Sequence, residues 1–256
     1  LGGHNYLKPE LIKELVQKID GTLVECNTAY NGKRMNSKEH WETIKKHGFL
    51  DYFKVDIMDE EGEMEIPVNY GGHLQNKNIV GSHIKNYDSM LMLSHFKGHA
   101  MGGFGGALKN MSIGVASPNG KAWIHSVGRT NDPAKMRSLI DEQDGFLESM
   151  AEADKAVVEY FGKDNMAYIN VLNNISIDCD CDSNPKEPEI SDIGIYASID
   201  PVAIDKCSYD TIINLEDPKK ESLVNRMKEK NAIHTVYEAE KLGLGTTDYE
   251  LINIDK

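Results

Sequence analysis

Two histidines, two lysines and five glycines fall within the seventeen residues from Ser94 to Asn110. Imidazole supplies acid, base or ligand chemistry near neutral pH. A lysine amine pairs with anions, or acts as a nucleophile once desolvated. Glycines let backbone N–H groups approach a ligand closely. The stretch follows the apolar run Ser89-Met90-Leu91-Met92-Leu93, which predicts a buried strand emptying into a loop. In open α/β sheets that edge is where ligands bind. His95, Lys97, His99, Gly105, Gly106, Lys109 and Asn110 are therefore candidate site residues. The competing reading is a glycine-rich connection with solvated basic residues. The coincidence of imidazole, amine and flexible backbone favours a site.

Three further groups carry chemistry. His125 lies in Lys121-Ala122-Trp123-Ile124-His125-Ser126, whose alternation predicts a strand; a ligand and a satisfied structural histidine are equally weighted there. Lys33 and Arg34 follow Asn27-Thr28-Ala29-Tyr30-Asn31-Gly32 and could hold a carboxylate or phosphate, against the reading of an exposed basic pair. Cys179-Asp180-Cys181 brings two thiols near one point, where a soft metal could sit. Two thiolates are half of a tetrahedral set, so Cys207, Cys26 or a histidine must complete it. The candidate metal ligands are His95, His99, His125, Cys179 and Cys181. A plain acidic loop with two free cysteines is the alternative. A calcium loop over Asp178, Asp180, Asp182 and Glu189 is disfavoured, because Ser183 stands where glycine is needed and Pro185 and Pro188 are poorly placed.

The elements that must position these groups can be read along the chain. Helices are expected at Pro9–Lys18, at Lys38–His47 with Ser37 as N-cap, and from Asp132-Pro133 to about Phe161 with a split near Gly145. Others are expected from Asp200-Pro201 to about Leu215, near Pro218–Lys230 and at His234–Leu242. Strands are expected at Thr22–Cys26, Tyr52–Met58, Asn78–Gly81, Tyr87–Leu93, Ala167–Leu172 and Ile193–Ala197, with Asp59–Glu63 an acidic turn. The alternation implies an α/β fold, a mostly parallel sheet flanked by helices, as one domain or as two lobes with a cleft between them.

The 256 residues are 40% hydrophobic, enough for a sizeable core. A net charge of −13 argues against nucleic acid, whose phosphates want a basic surface. No apolar run reaches the length of a membrane span. The opening Leu1-Gly2-Gly3-His4 has no signal-peptide pattern. Four cysteines in a chain of this length do not make a disulfide framework, so a reducing cytoplasm is expected.

Several blocks carry a resemblance. They are Asn5-Tyr6-Leu7-Lys8-Pro9-Glu10, Glu25-Cys26-Asn27-Thr28-Ala29-Tyr30 with Gly32 and Arg34, and His95-Phe96-Lys97-Gly98-His99. The others are Gly103 to Asn110, Gly120-Lys121 with His125, Asp178-Cys179-Asp180-Cys181, and Asp192-Ile193-Gly194 with Asp200 to Asp205. Together they resemble the uncharacterised "Fe–S centre protein" family, also known as domain of unknown function 362. The resemblance implies a single family domain over 1–256 that lacks the further strand and helix members usually carry before the Asn5 block. Many members also carry a ferredoxin-like cysteine run after the His125 block. Ser126 to Gly162 holds no cysteine, so no ferredoxin-type cluster is expected.

The spacing of His99, Lys109 and His125 is also similar to the signature of nickel-dependent lactate racemase. That resemblance implies that Lys109 anchors a nickel-pincer nucleotide, His125 ligates nickel and His99 shuttles a proton. A second acid/base histidine has no clear counterpart, with Lys33 or His40 near its place. The expectation is a metal- or cofactor-dependent enzyme, racemase/epimerase- or oxidoreductase-like, acting on a small hydroxy or carboxylic acid. Nickel, zinc and iron are the candidate metals. The alternatives are a non-catalytic metal or iron–sulfur-associated binding module, or a scaffold served by a redox partner protein.

Overall fold

The computed structural model describes residues 5–182 and 184–255. Leu1–His4, read for a signal peptide, and Ser183, read for a calcium loop, lie outside the described residues.

The chain begins with α1 (Pro9–Lys18), β1 (Thr22–Glu25), α2 (Ser37–Lys46), β2 (Lys54–Ile57), β3 (Glu63–Pro67) and β4 (Lys77–Gly81). Strands β5 (Met90–His95), β6 (Lys97–His99) and β7 (Gly103–Gly105) follow. Next come α3 (Ala107–Lys109), running into a π-helical turn at Asn110–Gly114, then α4 (Pro118–His125), α5 (Pro133–Met136) and α6 (Gln143–Phe161). The last elements are β8 (Met166–Leu172), β9 (Gly194–Ser198), α7 (Pro201–Asn214), α8 (Glu221–Glu229) and α9 (His234–Lys241).

The α/β class is observed, but the sheet is not mostly parallel. β1 pairs with β2, and β5 with β8, in parallel. β3–β4, β6–β7 and β8–β9 are antiparallel. The reason lies in the connections. Helices α3 to α6 carry the chain from β5 across to β8, and such a crossover returns a strand in parallel. No helix lies between β8 and β9, so the loop over 173–193 folds back and β9 runs the other way. Two lobes are not supported either. One principal core runs from Cys26 to Ala239 through Phe96, Phe146, Leu147 and Tyr168, and a small satellite of Ile12, Val16 and Phe53 joins α1 to the β2 side.

Several local expectations need correction. Lys121–His125 is helical, with Ser126 as the C-cap, because Ser117 caps the Gly120 amide and Pro118 sits at the first helical position. The cap of α2 is Asn36, which accepts from the Glu39 amide, one residue before Ser37. The break before α6 falls at residues 140–142, and Gly145 lies inside the helix against Val127. The Asp59–Glu63 segment ends by entering β3. Asp200 and Pro201 start α7 as expected, with Asp200 Oδ1 accepting from the Val202 and Ala203 amides. Among the described residues no helix is long and apolar enough to cross a membrane.

Candidate active site

All eleven candidate residues line one cavity of about 650 Å³: Arg34, His95, Lys97, His99, Gly105, Gly106, Lys109, Asn110, His125, Cys179 and Cys181. They come from three distant stretches of chain. The loop after β1 supplies Arg34, the β5–α4 segment supplies eight, and the 173–193 loop supplies the cysteines. The same walls carry Glu25, Tyr30 and Lys121, to which sequence reasoning gave no role, together with His40, considered only as a counterpart of the second acid/base histidine, and Asp180, considered only for a calcium loop.

The glycine-rich stretch is a hairpin and not an open loop. β6 and β7 pair across Lys97–Gly105 and His99–Gly103. A Cβ on Gly105 would lie 3.7 Å from both Lys97 Cε and Lys109 Cδ, so the two lysine stems flank that glycine. Asp205, fully buried on α7, accepts from the Ala107 amide at 2.7 Å and the Leu108 amide at 2.9 Å. A Cβ on Gly106 would fall 2.4 Å from Asp205 Oδ1, so only glycine admits this approach. Burial lifts the Asp205 carboxyl to about 6, while bonds from Asn170, Leu108 and Ala107 pull the other way. Asn110 Nδ2 donates to Ser94 Oγ at 3.1 Å and ties the end of α3 back to β5.

The two histidines beside Lys109 are held in opposite tautomers. His99 Nδ1 accepts from the Gly102 amide at 2.9 Å, so in the neutral ring the proton sits on Nε2. His125 Nδ1 faces the Lys121 carbonyl at 2.7 Å and must donate, which leaves a lone pair on Nε2. Burial, with Lys109, His125, Lys97 and Arg226 nearby, holds His99 well below the usual histidine range. Burial, Lys109 and Lys121 lower His125 to about 4 against its carbonyl bond. His125 also stacks on Phe146 with ring centroids 4.8 Å apart. Both rings are neutral at physiological pH, one offering a donor and the other an acceptor. Lys109 is half-buried and has no hydrogen-bond or ion-pair partner among the described residues.

His95 has a different task. Its Nε2 donates to the Asn173 carbonyl at 2.7 Å, and its Nδ1 meets both Asp180 oxygens at 2.9 Å. Both ring nitrogens face oxygens, so neither is turned toward a metal. The ring instead pins the 173–193 loop to the end of β5. Lys97 Nζ completes the anchor, 3.1 Å from Asp180 Oδ2. Burial opposes the Asp180 charge, but Lys97 and His95 outweigh it and hold the carboxyl far below its ordinary range.

That loop presents Cys179 and Cys181 with their sulfurs 2.7 Å apart. The Cys181 hydrogen bond, with Lys109 and Lys97, holds Cys179 well below the usual thiol range against its burial. The same bond and burial push Cys181 up, so the pair carries one proton between them.

Arg34 is committed to Glu25, with Nη1 3.2 Å from Oε2. Burial works against the Glu25 charge, yet Arg34, His40, Lys121 and Lys109 together keep it ionised. Lys33 is exposed and does not line the cavity. His40 is buried, donates from Nδ1 to Asn27 at 3.1 Å and is lowered by burial to about 4.

Among the described residues no three or more His, Cys, Asp or Glu side chains form a group that could hold a metal ion. The lone pair on His125 Nε2 could serve as a single metal ligand, and the two thiols form a separate pair. What signals the missed residues is local. Ser117-Pro118 marks the helix that places Lys121 and His125 one turn apart. Nothing in the sequence marks Asp205 as the cap of a turn nearly a hundred residues away.

No curated protein and no solved structure matches the chain. Residues 2–210 match the family described as domain of unknown function (DUF362), and the chain belongs to that family.

Proposed function

We propose that the protein is an enzyme that binds a small hydroxy or carboxylic acid and moves a proton at the carbon beside the carboxylate, as a racemase or epimerase does. The observation that carries this is the pairing of opposite tautomers around an unpartnered lysine. In this reading Lys109 holds the substrate carboxylate as a point charge. His125 Nε2, with its lone pair, takes the proton, and His99 Nε2–H supplies one. Both pKa values lie low enough that each ring is in its working form at pH 7.

A metal-bearing cofactor of the lactate racemase type is the alternative occupant of the same two groups, the Lys109 amine and the His125 lone pair, in place of direct contact with the acid. When bound, it would supply an electrophilic centre. The reverse reading, a non-catalytic metal module, rests on Cys179 and Cys181 alone. A reducing cytoplasm suits the four free thiols.

The test is hydrogen exchange in heavy water. The protein as purified is incubated with a panel of 2-hydroxy and other small carboxylic acids, and loss of the α-proton signal is followed by NMR. Exchange with at least one acid is expected, falling by about 10²- to 10⁴-fold in His125→Asn and His99→Asn. Binding of such an acid without exchange in the unaltered protein would overturn the reading.

A further inference from the structure

We propose that Cys179 and Cys181 form a redox-active dithiol that cycles to a disulfide inside the cavity. This goes beyond the proton-transfer reading and does not depend on it.

The separation of the sulfurs is the first ground. A tetrahedral metal with bonds of 2.3 Å would hold two thiolates about 3.7 Å apart. The observed 2.7 Å is shorter than that spacing and lies between bond length and ordinary contact. A disulfide bond is about 2.0 Å long, so closing it takes a movement of under about 1 Å. The second ground is the division of labour. The Cys181 amide points at Cys179 Sγ at 3.4 Å and the Cys181 thiol donates to the same sulfur at 2.7 Å, so Cys179 Sγ is the acceptor of both bonds. Cys179 is thus the attacking thiolate, with Cys181 as the neighbouring thiol that resolves. The third ground is access, because both residues line the 650 Å³ cavity. Cys26 borders the same cavity but is fully buried, with its thiol donating to the Val115 carbonyl and no second cysteine within hydrogen-bond reach among the described residues.

The co-reactant is a low-molecular-mass disulfide. Cys179 thiolate attacks one of its sulfurs, forming a mixed disulfide and expelling one small thiolate. That thiolate takes the Cys181 proton. Cys181 sulfur then attacks Cys179 Sγ, closing the ring and expelling the second small thiolate. The protein pair loses two electrons and the small disulfide gains them. A small dithiol runs the sequence backwards.

The experiment equilibrates the full chain in mixtures of reduced and oxidised dithiothreitol, denatures and alkylates it, and weighs it intact and as peptides. The expected result is loss of two hydrogens and of two alkylation sites on the peptide holding Cys179 and Cys181. The transition should follow a single two-electron step, while Cys26 and Cys207 stay alkylatable. With oxidised glutathione, Cys181→Ser is expected to retain one glutathione on residue 179, and Cys179→Ser none on residue 181. Free thiols at 179 and 181 in every mixture would overturn the proposal. So would protection that a chelator abolishes, which would make the pair a metal site. The titration uses the unaltered protein, so a variant that fails to fold does not spoil it.

Discussion

Asp205 sets the place of Lys109 without touching its amine: the carboxylate accepts the Ala107 and Leu108 amides that begin the turn ending in that lysine. Asn170 Nδ2 donates to the same carboxylate at 2.8 Å. Asp205→Ala leaves these buried donors without an acceptor, at roughly 1–3 kcal/mol for each. We expect a loss of about 3 kcal/mol or more in urea unfolding, with Asp205→Asn losing less because its amide oxygen still accepts. Unchanged unfolding of the alanine variant would show that the turn holds its shape alone.

Lys109→Met should behave in the opposite way. Its amine has no partner to lose, so stability should stay within about 0.5 kcal/mol of the parent. Affinity for a carboxylate ligand should fall by about 10- to 100-fold, since a charge-assisted hydrogen bond is worth about 1.5–3 kcal/mol. Calorimetry with an acid that binds the parent separates the two effects.

Acid should unfold the protein partly through His40 and His125, both lowered to about 4 in the fold. A histidine with a depressed folded pKa contributes stability that is whole above about 6.5, its unfolded value. That contribution fades as pH falls from 6.5 toward 4, where the unfolded chain binds the extra proton. Each ring is worth at most about 3 kcal/mol over that span. Denaturation midpoints measured from pH 7 to pH 4 should fall, and His40→Gln should flatten the slope. A slope unchanged in that variant would remove His40 from the account.

Gly98 is the tightest junction between the hairpin and the cysteine loop. Its amide donates to the Ser176 carbonyl at 2.8 Å, and a Cβ there would lie 2.1 Å from the Ile177 carbonyl oxygen. Gly98→Ala must push backbone against backbone, at about 1–3 kcal/mol. Gly32→Ala meets nothing within 4 Å and should be silent. Thermal melts of the two variants give the comparison.

His95→Leu should loosen the 173–193 loop selectively. It removes the bonds to Asn173 and Asp180 from a ring that is 4% exposed. Amide exchange in residues 174–182 should accelerate well before that of β5 and β8. Uniform acceleration across all three would mean that the histidine supports the whole sheet.

The sequence carried the local devices well. Asp200-Pro201 announced α7, and the hydrophobic run ending at Leu93 announced β5. The residues that share the cavity wall stand out in the sequence because imidazole, amine and thiol are sparse there. Their roles do not, because roles depend on partners far away in the chain. His95 and His99 look alike in sequence. One is spent between Asn173 and Asp180, and the other keeps a free N–H because the Gly102 amide turns back on it. The alternation of Lys121 to Ser126 predicts a strand around His125 because six residues are too few to separate the two periods, and the Ser117-Pro118 start makes the segment a helix. The antiparallel return of β9 was hidden for the same reason: nothing local states which way a long loop will bring a strand back.

The β5–β8 pairing also governs when the site comes into being. The two strands meet only after everything from the hairpin to the end of α6 has been made and gathered, so this contact closes a long loop and is slow to form. His95 ends β5 and waits for Asn173 and Asp180, which follow β8. During synthesis the lysine-bearing wall is therefore on display before its acidic and thiol counterpart has left the ribosome. A refolding time course should show the helices early and the fixing of the cysteine loop last, with the nascent cavity open to small anions in the interval.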